Sequence, residues 1–339
     1  MYDQAEQVKT IVESAQKIVI VQADNPDADS VGSALALEHI LGDLGKEPYL
    51  YCAVETPGYL RYLPGWDRVQ NELPHQFDAS IIVDASTITL LEKVAGSGQQ
   101  GWLASKPCVV LDHHESVDKP IPFATVTIND HQRASTGELI YLLAQQLAWP
   151  VSIAAQELLM NSILGDTQGL TNQLASAQTY RIMADFVEAG VDRPALEEQR
   201  RAFSKMVQEI YRYKAQLIQR TAFSADGRVA SVVVPQSEIN EYSPLYNPAP
   251  LIQGDMLQTT GVAVAIVLKT YDDGHMTGAI RCNPGAPVAA PLAETFGGGG
   301  HAYAGGFKID RAEPFDEQIQ KCLARATELL AKLDQDETV

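Results

Sequence analysis

Along the first half of the chain, short and almost wholly apolar runs take turns with longer segments whose apolar residues recur every three or four positions. The short runs, Lys17–Gln22 (KIVIVQ), Pro48–Ala53, Ala79–Val83 and Cys108–Leu111, predict buried strands. The longer segments predict helices at Asp3–Ala15, from near Val31 (with Val31, Leu35, Leu37 and Leu41), and at Ser135–Leu147, Ser152–Leu164 and Ala175–Ala189. This alternation argues for an α/β domain built on a mostly parallel sheet flanked by helices. From Arg193 to about Gln219 a charged stretch with few breakers predicts one long connecting helix. Beyond it, strands at Val229–Val234, Gly261–Leu268 and Thr277–Arg281, with helical segments near Pro287–Phe296 and Phe315–Leu333, predict a smaller C-terminal α/β domain. The expected division is 1–191, 192–220 and 221–339, with no internal repeat.

Composition narrows this picture. At 339 residues and 45% hydrophobic, the chain is long enough for two cores at roughly 100–200 residues per domain. Its longest clean apolar run, Val262 to Leu268, is strand-sized and far short of the roughly 20 residues of a membrane span. The start, Met1-Tyr2-Asp3-Gln4, lacks a basic region followed by an apolar one, so a cytoplasmic protein with no membrane partner is expected. Cys52, Cys108, Cys282 and Cys322 are scattered and fit reduced core thiols. The net charge of −18 disfavours a protein that grips long duplex nucleic acid, because such affinity comes from Lys and Arg neutralising phosphates. A small phosphorylated substrate stays open if metal ions and a few Arg or His residues offset the charge locally.

Carboxylates and imidazoles gather where elements end: Asp27-Ala28-Asp29 after the first strand, Asp84 after Ser80–Val83, Asp112-His113-His114 after Val109–Leu111, and Asp166 after an apolar helix. In open α/β sheets, ligands bind outside the carboxyl ends of the strands. Clustered carboxylates raise one another's pKa unless a cation lies between them, and carboxylate oxygens with imidazoles suit Mn²⁺. Each residue has a plainer role available. Asp29 can cap the helix near Val31, Asp84 and Asp166 can serve turns, and the two histidines can be one core and one surface residue. The plainer account must hold at all four places at once, which favours a metal site.

Taken in order, these segments resemble the DHH phosphoesterases, and within them the nanoRNase and pAp-phosphatase branch that joins a DHH domain to a DHH-associated domain. The matching stretches are Asn25-Pro26-Asp27-Ala28-Asp29-Ser30-Val31-Gly32-Ser33, Ile82-Val83-Asp84, Leu111-Asp112-His113-His114 and Gly165-Asp166-Thr167. Arg133–Leu139 resembles the segment between the last two. The resemblance implies that Asp27 ligates a first metal, that Asp84 bridges two, and that Asp29, His113 and Asp166 hold the second. It implies catalytic roles for Asp84, for His114 near the substrate phosphate and for Asp112 supporting the histidines, with Arg133 on the substrate side. Metal-activated water would attack phosphorus without a covalent enzyme intermediate. The implied cofactor is Mn²⁺, as one or two ions, with Mg²⁺ or Co²⁺ as substitutes. One departure stands out: Ala23 occupies the position where the family has a histidine ligand, so Gln22, Asp24 or Asn25 would have to substitute through oxygen, or one ion suffices. Gln168, where the family usually has glycine, is a lesser departure.

In the C-terminal part, Gly297–Gly300 and His301 are followed by Ala304-Gly305-Gly306. Four glycines permit a backbone nest for an anion, or simply a tight turn. The pattern Gly298-Gly299-Gly300-His301 is similar to the closing motif of the DHH-associated domain, which implies that these residues and Arg281 bind substrate. An Arg fork suits a terminal phosphate. The implied partners are short single-stranded RNA or DNA, or a small nucleotide such as pAp or a linear dinucleotide; a homodimer stays open. The competing readings are a degenerate non-catalytic nucleotide- or metal-binding DHH module, for which Ala23 speaks, and an inorganic pyrophosphatase, against which the glycine–histidine motif speaks. Length and acidity disfavour a long-strand exonuclease of the RecJ type.

Overall fold

The computed structural model describes residues 1–114, 119–203, 205–243, 246–312 and 314–336. The chain forms two compact units, Met1–Lys205 and Met206–Val339. The first is built on five strands: β1 (Lys17–Val21), β2 (Glu47–Tyr51), β3 (Ala79–Val83), β4 (Cys108–Asp112) and β5 (Val126–Asn129). They lie in the order β2-β1-β3-β4-β5 and every pair is parallel. Parallel strands are covered on both faces, so their side chains are apolar in both directions. Along β1, Ile18 and Ile20 enter one core while Val19 and Val21 enter the other. The first core is closed by α1 (Ala5–Ser14), α2 (Ala28–Asp43), α5 (Thr136–Gln146), α6 (Ile153–Asp166) and α7 (Ala177–Ala189). On the other face lie α3 (Glu92–Gly96) and α4 (Gln100–Ala104), through Val94 and Leu103. The expected α/β architecture is therefore present. Strand β5 was not anticipated, because its four residues give only one outward alternation.

Residues 193–219 are two helices rather than the single one expected: α8 (Arg193–Phe203) and α9 (Gln208–Gln219). The reason lies in packing. Leu196 belongs to the core of the first unit, whereas Ile210, Tyr213 and Leu217 belong to a core of the second. Val207, with φ −67° and ψ 157°, is extended between them.

The second unit is a six-stranded mixed sheet, β6 (Ala222–Ser224), β7 (Val229–Pro235), β8 (Val264–Thr270), β9 (Met276–Cys282), β10 (Gly299–His301) and β11 (Ala304–Ile309), in the order β10-β11-β9-β8-β7-β6. Among the described strands of this sheet, only β7 and β8 pair in parallel. Helices α10 (Gln236–Tyr242) and α11 (Pro248–Leu257) were not foreseen, while α12 (Ala289–Glu294) and α13 (Phe315–Asp336) fall in the segments expected to be helical. All four cysteines are buried and free. No helix among the described residues is long and apolar enough to cross a membrane.

Candidate metal centre

Neighbouring strands β1, β3 and β4 end on the same rim of the parallel sheet. The loop after β1 leads into α2, whose N-cap is Asp27, with its carboxylate accepting from the Ser30 amide at 3.0 Å. The capping role therefore falls to Asp27, and Asp29 is released to point inward, fully buried. Asp84 follows β3 with φ +60°, a left-handed conformation that costs a non-glycine residue about 1–3 kcal/mol. Asp112 closes β4, and His113 and His114 follow. The C-terminal turn of α6 brings Asp166 in; a Cβ on Gly165 would lie 2.8 Å from the Ala28 Cβ, so glycine permits this approach to the start of α2.

The side chains converge on His113. Its Nε2 lies 2.9 Å from Asp166 Oδ2, 3.4 Å from Asp29 Oδ2 and 3.8 Å from Asp84 Oδ1. Its Nδ1 lies 3.2 Å from the Arg133 carbonyl oxygen. A carbonyl only accepts, so Nδ1 carries the proton and Nε2 presents a lone pair in the neutral ring. The Asp166 contact is an ion-pair distance, and the buried Nε2 has no hydrogen-bond partner among the described residues. A buried ring nitrogen facing three carboxylates offers a donor set that suits a divalent cation. Asp29, His113 and Asp166 form one group close enough to share an ion, and Asp84, His113 and His114 another.

Asp29 is held rigidly. Its Oδ1 accepts from Ser162 Oγ at 2.6 Å, Ser33 Oγ at 2.8 Å and the Gly137 amide at 3.2 Å, and Oδ2 accepts from the Thr136 amide at 2.7 Å. Thr136 Oγ1 also donates to Asp84 Oδ1 at 3.1 Å. The start of α5, capped by Ser135, thus binds two carboxylates. These hydroxyl and amide donors escaped the sequence reading. Ser135 with Glu138 three residues on carries a helix-start signature, but nothing local marks Ser162, in the middle of a helix.

Charge crowding shows in the acid–base properties of the metal-free cluster. Burial, then repulsion by Asp29, Asp27, Asp166 and Asp112, raises Asp84 well above the usual carboxylate range. Burial and then Asp29 push Asp166 up to about 6. For His113 burial opposes protonation, but the contact with Asp166 and the charges of Asp29 and Asp166 outweigh it and raise it to about 9. The cluster without metal retains protons that a divalent ion would displace. Asp112 behaves oppositely. Burial works against its charge, yet the His114 Nδ1 hydrogen bond at 2.7 Å and the amides of His113 at 2.8 Å and His114 at 3.3 Å keep it low. It orients the two histidines. The His114 ring is half exposed, and its bond to Asp112 raises it.

The sequence profile of the DHH family, N-terminal domain, matches residues 17–166. Residues 17–166 form a DHH-family domain. The bifunctional oligoribonuclease and PAP phosphatase NrnA of Bacillus subtilis is 23% identical over 296 residues, covering 86% of this chain and 89% of that protein. The protein of the same name from Thermus thermophilus is 24% identical over 317 residues, covering 93% and 90%. Among solved structures, an exopolyphosphatase-related protein from Bacteroides fragilis shares the fold with a TM-score of 0.84 at 20% identity, covering 97% of both chains.

Within the DHH domain, the outer part of the motif is the sparse one. Asp27 is exposed at the rim and belongs to neither ion-sized group; partial desolvation, then Asp29, raises its carboxyl. Ala23, 4% exposed, packs in the apolar core with Tyr51, Ile82 and Ile121. Of the three substitutes considered for the missing histidine, Asp24 accepts from the Lys93 amide at 2.8 Å and Asn25 is exposed. Gln22 is 1% exposed, and both of its amide atoms lack a hydrogen-bond partner among the described residues. The guanidinium of Arg133 is engaged by Asp130 at 2.9 Å and Glu138 at 3.6 Å, so its visible service to the site is the carbonyl that orients His113.

In the second unit, Gly299–His301 is strand rather than a nest or tight turn, pairing antiparallel with Gly306, Gly305 and Ala304. The glycines are needed for close backbone packing: a Cβ on Gly298 would lie 2.1 Å from the Gly306 oxygen, and one on Gly300, at φ +145°, would lie 2.3 Å from the Ala304 oxygen. The register aligns Arg281, Ala304 and His301 in one row across β9, β11 and β10. Arg281 is exposed, while the His301 side chain lies outside the described atoms.

Proposed function

We propose that the chain is a metal-dependent phosphoesterase that hydrolyses short oligonucleotides or small nucleotide phosphates. The observation that carries this reading is the buried His113 Nε2 within 3.8 Å of Asp29, Asp84 and Asp166, a crowding of carboxylates around one ring nitrogen that a divalent ion would relieve. A divalent ion bound there, Mn²⁺ by preference, supplies charge neutralisation and a water activated for attack on phosphorus. The chain's own part is positional. Ser33, Ser162, Thr136 and Gly137 fix the Asp29 and Asp84 carboxylates, and the Arg133 carbonyl fixes the His113 tautomer. Asp112 holds His114 with its ring half exposed, where it can donate a hydrogen bond to a phosphate oxygen. Arg281 and the Gly298–His301 segment of the second unit are assigned to the substrate's terminal phosphate. The substrate class follows the two NrnA relatives, whose name describes oligoribonuclease and PAP phosphatase activities.

Mn²⁺-stimulated release of mononucleotide from pApA tests the proposal. Turnover that needs the metal supports it. The absence of turnover on pApA, pAp and linear dinucleotides with Mn²⁺, Mg²⁺ and Co²⁺ would sink it. The second reading, a DHH module that binds without turnover, draws on Ala23 in its apolar pocket, and that negative result would favour it.

A further inference from the structure

A cavity of about 420 Å³ in the first unit adjoins the metal centre, sharing with it the start of α2 at Ala28 and the end of α6 at Gly165. Asp27 and Asp29 flank Ala28, and Asp166 follows Gly165. Tyr59, Gln168, Arg193, Glu197 and Arg200 also line the cavity, and three features set it apart. First, Tyr59 is 58% exposed, on a short turn Gly58–Leu60, and so keeps ring surface open to a stacking partner. Second, Gln168 has φ +52°, in the left-handed region that favours glycine. A side chain kept at a strained backbone position is a pointer to function. That side chain makes no hydrogen bond among the described residues and is available to a ligand. Third, two arginines and one glutamate line the wall, so it is net positive in a chain of net charge −18. The Glu197 carboxylate itself is shared among Arg193, Arg200 and Arg201.

The size is that of a small-ligand pocket, about 300–1,000 Å³. We propose that this cavity holds the nucleobase of the nucleotide whose phosphate reaches the metal centre, with the base stacked on Tyr59 and its polar edge read by Gln168. This rests on the nucleotide phosphoesterase reading and deepens it: the first unit would recognise the base as well as carry the metal. Arg193 adds a cation for the ribose-phosphate strand leaving the cavity.

The test is titration calorimetry of the full chain in EDTA with adenosine 5′-monophosphate and ribose 5-phosphate, run beside Mn²⁺-dependent hydrolysis of pApA. Wild type should prefer the nucleotide to the base-free sugar phosphate by on the order of tenfold or more, the usual worth of one stacked base. Tyr59→Ala, at an exposed position, should fold normally and lose that preference. Gln168→Gly should keep or raise the melting temperature, because glycine accepts positive φ, while weakening nucleotide binding several-fold. Equal binding of the two probes by wild type, or a preference that survives Tyr59→Ala, overturns the inference. A chain that hydrolyses pApA with KM untouched by Tyr59→Ala keeps the function and loses the base site. One that never hydrolyses pApA but shows a Tyr59-dependent preference keeps the base site and loses the function.

Discussion

The inner and outer halves of the acidic rim are built to different standards. The inner half has Asp29 and His113 buried and Asp166 partly so, and the Asp29 carboxylate is held by three side-chain or amide donors on one oxygen and one on the other. The outer half consists of an exposed Asp27 that also serves as a helix cap, and of Ala23 turned into an apolar core. The comparison teaches that a metal position is made by the groups that orient its ligands, not only by the ligands. Where those groups are complete the site is set before the ion arrives; where they are thin, an ion must be held largely by what it brings with it.

Removing Asp84, which the family resemblance assigns to both ion positions, has the largest effect. Asp84→Ala should abolish Mn²⁺-dependent hydrolysis of pApA, since several kcal/mol of charge stabilisation amounts to about a thousandfold or more. Calorimetry of the same variant should show a lower Mn²⁺ stoichiometry or affinity. A variant that keeps wild-type turnover would remove Asp84 from the mechanism. Ser162→Ala comes next: it deletes the 2.6 Å donor to Asp29 without touching a ligand. Metal affinity should fall by about 10–100-fold, the usual effect of losing a group that orients a ligand. Unchanged affinity would mean that the preorganisation argument for the inner half is wrong.

Protons supply a third probe of the same comparison. Asp166, raised to about 6, is protonated below that pH, and His113 holds its proton up to about 9 when no metal is present. Ions must displace these protons, so Mn²⁺ affinity should climb as pH rises from 5 through 6, by up to about tenfold per unit for each proton displaced, and continue to climb more gently toward 9. A flat affinity profile from pH 5 to 8 would contradict the assignment of Asp166 and His113 as ligands. The smallest effect is expected in the outer half. Ala23→His should tighten or add a metal position, while overpacking the pocket beside Tyr51 and Ile82 costs about 1–3 kcal/mol of stability. If metal number and affinity stay the same in a folded variant, position 23 is not part of the site.

Much of the first unit was legible residue by residue. Strand β3 lies at the expected Ala79–Val83, and β1 and β4 end within one residue of their expected limits, because parallel strands covered on both faces read as continuous apolar runs. Strand β5 and the break between α8 and α9 were not legible: β5 is too short for a periodic signal, and the break depends on which core each helix joins. The glycine run was read as a nest or a tight turn, and its second half, Gly299 and Gly300, is a strand, because cross-strand partners such as Gly305 and Gly306 are set by register, which glycine leaves unmarked.

The local order of residues was enough to determine that carboxylates and imidazoles would stand at the ends of β1, β3 and β4, since strand ends follow from the apolar pattern and a parallel sheet places those ends on one rim. Tertiary structure alone decided which of them meet. It buried Asp29 and left Asp27 in solvent, put Ser162 of α6 against a carboxylate 133 positions earlier, and oriented His113 through a backbone carbonyl 20 residues away. Hydrogen-bond geometry across such separations has no periodicity in the chain. It exists only once the helices have packed.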